Sequence, residues 1–140
     1  DTDSQIEKET SKSIKEIFKT DGEIHFRKLE SDTIRSINRK AIIACGGGLT
    51  TNNKNIEYIK QKGTVIYLKA SEETLIKRLE KNKNDRPLMC NLPTYKELEF
   101  IRKKLKEREK NYKKADYTVE TDNKTVNEVL REINSLILTI

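Results

Sequence analysis

A chain of 140 residues has room for one domain. Charged residues make up 37% and hydrophobic residues 34%, which limits the core, and no apolar run approaches the ~20 residues of a membrane span. The net charge of +6, from 29 Lys and Arg against 23 Asp and Glu, suits an anionic partner without choosing among nucleotide, nucleic acid, acidic lipid and small carboxylate. Basic and acidic residues are interleaved throughout, as on solvated helix surfaces. Cys45 and Cys90 form no CxxC and have no His-rich neighbourhood, so neither a metal site nor a disulfide is expected, and a reducing cytoplasm fits. The first ten residues, DTDSQIEKET, are acidic and polar, unlike a secretory signal.

Ser13 and Glu16 are spaced as a capping box ahead of Ile14, Ile17 and Phe18. Asp21-Gly22 should break that helix. A second helix is predicted over 23–38, with Phe26, Leu29, Ile34 and Ile37 as its apolar stripe. AIIAC, residues 41–45, reads as a buried strand, followed at once by Gly46, Gly47 and Gly48. A helix over 55–61 and a strand over 64–70 come next, then a helix over 71–81 capped by Ser71 with acids in its first turn. Residues 82–94 hold both prolines and little periodicity and read as a mobile loop. A long helix from 95 to about 114, a strand over 115–121 and a last helix opened by Asp122 or Thr125 complete the chain. The last helix carries Val126, Val129, Leu130, Ile133, Leu136, Ile137 and Ile140 as its stripe.

From residue 41 onward, strands alternate with helices, and the first two strands are apolar throughout. That pattern implies an α/β fold with a parallel sheet covered on both faces. Ligands in such folds collect at the carboxyl ends of the strands. The glycine run sits at such an end, where bare backbone lets a ligand approach N–H groups. A tolerated loop is the competing reading.

Several charges stand where periodicity does not expect them. Arg108 occupies an apolar position on the stripe of the long helix, so it must meet an anion or snorkel to water. Arg27 lies beside Phe26 and one turn before Glu30, which could buttress it or merely pair with it at the surface. Arg86 precedes Pro87 in the loop, where a planar guanidinium could close over a phosphate. Asp1 and Asp3 form D-x-D; in a strand-like segment both carboxylates would point the same way and could hold Mg²⁺ and a polar substrate.

In order and spacing these pieces resemble shikimate kinase: DTD-x-x-IE at 1–7, DGE-x-x-FR-x-x-E at 21–30, the strand plus GGG at 41–48, G-x-V-x-YL at 63–68, RPL at 86–88, ER-x-x-x-Y at 107–112 and AD-x-x-V-x-TD at 115–122. The resemblance implies a P-loop kinase fold, a three-layer α/β/α domain with a five-stranded parallel sheet, spanning 1–140 with a lid at about 82–94. It implies transfer of the ATP γ-phosphoryl group to the 3-hydroxyl of shikimate in aromatic amino-acid biosynthesis, with ATP and Mg²⁺, in a cytoplasmic monomer that binds neither nucleic acid nor membrane. By the same resemblance Asp1 helps hold Mg²⁺, and Asp3 binds the shikimate hydroxyls and orients or deprotonates the attacking one. Arg27 and Arg108 grip the shikimate carboxylate, and Gly47 and Gly48 line its site. Arg86 reaches the phosphates, and Arg78 lies near the adenine.

Residues 1–140 contain no G-x-x-x-x-G-K-[ST], the loop that cradles nucleotide phosphates. In the family it lies just before the D-x-D, after the first strand. Roughly 30 further residues before Asp1, carrying two strands, that loop and a helix, are therefore expected at typical element lengths. Residues 1–140 alone are expected to transfer no phosphoryl group. The rival readings are a degenerate kinase-like protein that only binds a small acid, another small-molecule P-loop kinase, and a basic nucleic-acid module. The last is disfavoured by 6% aromatics, no Trp and no recognisable binding signature.

Overall fold

The computed structural model describes residues 1–81 and 94–138. The expected lid, apart from Thr94, and Arg86 within it lie outside the described residues. The chain begins with a helix, α1 (Thr2–Thr10), where the D-x-D pattern suggested extended backbone. Asp1 is its N-cap, and Asp1 Oδ1 accepts the Ser4 amide at 3.0 Å. This satisfies one of the amides that a helix start leaves without a partner. α2 (Ile14–Thr20) starts at the capping box of Ser13 and Glu16 and ends at Asp21. Gly22, at φ 82°, supplies the left-handed turn into α3 (Gly22–Ser36). Ile6, Ile17 and Phe26, one from each helix, form a buried cluster, and Ile14, Phe18 and Leu29 pack around it. The Phe18 and Phe26 rings lie 4.7 Å apart in tilted contact.

The expected buried strand at 41–45 is not formed. Among the described residues its backbone takes part in one backbone–backbone hydrogen bond, the Thr2 amide donating to the Ala44 carbonyl at 3.0 Å, and Ile42 is 98% exposed. A strand is held by ladder bonds to its neighbours. Among the described residues none runs alongside this segment. A single 3₁₀ turn (Leu49–Thr51) and α4 (Asn53–Lys62), capped by Asn52, follow the glycines.

β1 (Ile66–Lys69) pairs in parallel with β2 (Tyr117–Glu120), Ile66 opposite Tyr117 through Lys69 opposite Glu120. These two strands are the sheet among the described residues. The crossover runs through α5 (Glu72–Lys81) and α6 (Thr94–Tyr112). Two aspartates of the 115–122 motif pin the strand ends. Asp116 accepts from Val65 N at 2.8 Å and Lys60 Nζ at 2.6 Å, and Asp122 accepts from Ser71 N at 2.9 Å. The Lys60 ammonium, then the Val65 amide, hold the Asp116 carboxyl below its ordinary value. These acids tie the strand ends to their neighbours.

α7 (Val126–Ile137) opens on a Thr125–Glu128 capping box and carries the expected apolar stripe as far as Ile137; Ile140 lies outside the described residues. None of its residues is buried, and Val126 is 76% exposed. β1 is likewise half covered, with Leu68 53% exposed, where burial on both faces was expected.

Candidate functional site

The site is assembled on α3. Arg27 and Glu30, one turn apart, share a face, and Arg27 Nη1 donates to Glu30 Oε2 at 2.6 Å. Arg27 Nη2 donates to Glu23 Oε1 at 2.9 Å, so two carboxylates hold the guanidinium in one orientation. Its arginine carbon also lies 5.4 Å from the centre of the Phe26 ring. The Glu30 side chain is almost wholly buried. Burial works to lower the Arg27 guanidinium, but Glu30 and Glu23 outweigh it and hold it above its ordinary value. Burial pushes the Glu30 carboxyl up; Arg27 opposes this, the charge of Asp3 adds to it, and Arg108 opposes it in turn. Four charged groups therefore share one neighbourhood.

The glycines form the surface between them. A Cβ added to Gly46 would fall 3.2 Å from Glu30 Oε1 and 3.6 Å from Asp3 Oδ1. At Gly48 it would fall 2.0 Å from Arg27 Nη1, and at Gly47 it would fall 2.5 Å from the Tyr112 hydroxyl and 3.4 Å from Arg108 Nη1. Three successive glycines thus meet five polar side chains, a different set at each position. Space forces the choice of glycine here: Gly48, at φ −79°, has ordinary backbone.

Arg108 and Tyr112 stand one turn apart on α6 and reach this floor from the other side. Arg108 is half-buried, and its Nε is buried with no hydrogen-bond partner among the described residues. An unmet donor of this kind marks a place where an acceptor is expected. Asp3 lies in the first turn of α1 and is half-buried. Because α1 is helical, side chains two apart diverge by roughly 200°. The expectation that Asp1 and Asp3 point together is therefore corrected: Asp1 is exposed at the cap, and Asp3 lies beside the glycine floor.

The structure thus brings together Asp3, Arg27, Gly47, Gly48 and Arg108. Arg78 lies apart, donating to the Thr121 carbonyl at 3.0 Å and hydroxyl at 3.1 Å beyond the end of β2. Two residues that hold the floor were not singled out from sequence. Buried Asn55 donates to the Leu49 carbonyl at 3.0 Å and to Ser31 Oγ at 2.9 Å, tying the 3₁₀ turn to α3. Asn111 donates to the Thr50 carbonyl at 2.5 Å, tying the same turn to α6. Both partnerships join distant parts of the sequence, and an asparagine carries no periodic signal.

The shikimate kinase family model matches residues 1–138. The chain belongs to the shikimate kinase family. It is 40% identical over 135 residues to a shikimate kinase of Caldanaerobacter subterraneus subsp. tengcongensis, covering 95% of this chain and 77% of that one. A shikimate kinase of Flavobacterium johnsoniae is 41% identical over 137 residues, 95% of this chain and 80% of that protein. Among solved structures, shikimate kinase from Acinetobacter baumannii in complex with shikimate superposes with a TM-score of 0.88 at 35% identity, covering 99% of this chain and 76% of that one. Family membership gives the P-loop kinase fold and an ATP-using phosphotransferase with an alcohol acceptor.

Proposed function

We propose that the chain serves the transfer of the ATP γ-phosphoryl group to the 3-hydroxyl of shikimate, and that the cluster on α3, α6 and the glycine floor is its acceptor site. The observation that carries this reading is the convergence of Arg27 and Arg108 on Gly47 and Gly48, with Arg108 Nε lacking an acceptor among the described residues. A ring acid with one carboxylate and three hydroxyls needs guanidinium forks at one end and acceptors at the other. Arg27 and Arg108 supply the forks, and Asp3 supplies the acceptor. Gly47 and Gly48, having no Cβ, leave room for the Tyr112 hydroxyl and the Arg27 guanidinium at the floor, and the family resemblance places them along the ring.

Asp3 would orient the attacking hydroxyl and take its proton. Asp1 suits a single Mg²⁺ ligand: its carboxylate is exposed and its recorded bonds run to Ser4. Mg²⁺ takes one or two carboxylates together with phosphate oxygens and water. When bound it would neutralise phosphate charge. Among the described residues no group of three or more His, Cys, Asp or Glu could hold a metal unaided. Arg86 is assigned to the phosphates and Arg78 to the adenine side, on the family resemblance alone. The domain is taken as one unit over 1–140.

Calorimetric titration with shikimate tests the acceptor site, and coupled ADP release from the chain joined to a G-x-x-x-x-G-K-[ST] segment tests transfer. Shikimate should bind and be phosphorylated in preference to gluconate and nucleoside monophosphates. Preference for either of those acceptors would sink the reading. Gly48→Ala gives a sharper check. Its Cβ would displace an Arg27 guanidinium already fixed by Glu23 and Glu30. Shikimate binding should weaken about tenfold or more, the value of a charge-assisted contact, and the Kd measured by calorimetry checks it.

A further inference from the structure

Tyr112 closes the ER-x-x-x-Y pattern, yet the acceptor reading gives it no task. Its hydroxyl donates to the Gly47 carbonyl at 2.9 Å across 65 positions of sequence. Its ring stacks on Tyr67 of β1, with centroids 4.7 Å apart and planes 29° from parallel. One turn earlier on the same helix stands Arg108, whose Nη1 lies 3.4 Å from the Cβ position of Gly47. Arg108 and Tyr112 therefore meet the same glycine from the same helix face. Tyr112 fastens the glycine floor to α6 and, through Tyr67, α6 to the sheet.

We propose that Tyr112 is a positioning residue for the acceptor, setting the gap between the glycine floor and the Arg108 guanidinium. This rests on the acceptor reading above. Within the segment, Thr50 Oγ1 donates to the Gly47 carbonyl at 3.4 Å and the Leu49 and Thr51 amides donate to the Gly46 and Gly48 carbonyls. Among the described residues, the side-chain bonds to it from other helices, apart from Tyr112, come from Asn55 and Asn111 at Leu49 and Thr50. Without the Tyr112 hydroxyl the floor at Gly47 would keep its neighbours but lose its anchor to the helix that carries Arg108. A gap that varies cannot hold a carboxylate and a flat ring at once.

Tyr112→Phe is the decisive variant, because it keeps the ring and its stack on Tyr67 and removes one hydroxyl. Shikimate Kd should rise roughly three- to tenfold, the value of one neutral hydrogen bond, while the thermal midpoint moves little. In an Arg108→Lys background the same change should cost less than about twofold, since the gap it sets no longer serves the guanidinium. Amide exchange over residues 44–51 should quicken while α3 is unchanged. A folded Tyr112→Phe protein with unaltered Kd and unaltered exchange overturns the proposal. If the unsubstituted protein does not bind shikimate, the acceptor reading fails instead, and the exchange comparison alone decides whether Tyr112 anchors the floor.

Discussion

Asp3→Asn should lower kcat for shikimate about 10²-fold or more, the contribution of a positioned general base, with a much smaller change in shikimate KM. Asparagine keeps the size of the side chain and one acceptor oxygen but cannot take a proton. Asp3 sits half-buried at the glycine floor, and its charge helps raise the buried Glu30 carboxyl. Glu30 Oε2 accepts from Arg27 Nη1, and the family resemblance assigns the acceptor hydroxyls to Asp3. Phosphoryl transfer passes through a loose transition state with little charge on the attacking oxygen, which places the effect toward the low end of general-base contributions. The assay is run on residues 1–140 joined to a G-x-x-x-x-G-K-[ST] segment, because that cradle is not among them. A variant that keeps kcat and loses only affinity would assign Asp3 to hydroxyl binding alone.

Local signals in the sequence read well. The S-x-x-E pair at Ser13 and Glu16 marked the start of α2 and Asp21-Gly22 its end, and of the two candidate starts for α7, Asp122 and Thr125, the structure uses Thr125. Signals that depend on a partner failed where the partner is not among the described residues. AIIAC has the composition of a buried strand, but composition states only what a segment can do once flanked. Unflanked, it leaves Ile42 exposed. The same holds for α7, whose apolar stripe is correct as a pattern and uncovered as a surface. The short polar start misled differently: D-x-D suggested extended backbone, whereas Asp1 is a good N-cap and the following TDSQIEKET can form a helix.

In the site, sequence reached the charged residues and missed the brackets. Arg108 was visible because it interrupts an apolar period, and Arg27 because Glu30 follows at helical spacing. Gly47 and Gly48 were visible because three of the chain's five glycines fall together. Asn55, Asn111 and Tyr112 hold that floor in place; Tyr112 is visible as the end of ER-x-x-x-Y, but the two asparagines are ordinary helix residues until their distant partners are known. Their bonds to Leu49, Thr50 and Gly47 link the last turn of α6 and the start of α4 to one short segment. The division is physical: an unusual residue betrays itself locally, while a long-range hydrogen bond does not.

Arg108→Ala should have the largest effect on binding. Arg27 is already balanced by Glu23 and Glu30, so a ligand carboxylate adds to a charge that is largely met. Arg108 differs: it sits half-buried on an otherwise apolar stripe, with an Nε that has no acceptor among the described residues. Burying such a donor without an acceptor costs stability, and an arriving carboxylate removes that cost while adding a charge-assisted bond. Removing one partner of a desolvated pair typically costs about 2–5 kcal/mol, which is roughly 30- to 5,000-fold in Kd. Truncation should therefore weaken shikimate by that factor while leaving the fold intact, since the free protein loses an unsatisfied group. Arg108→Lys should recover only part of the loss, because an ammonium cannot form the planar two-point fork. Calorimetric Kd values for the three proteins, with thermal midpoints measured alongside, check both statements. Unchanged shikimate affinity in Arg108→Ala would remove α6 from the acceptor site and leave the convergence on Gly47 without a ligand.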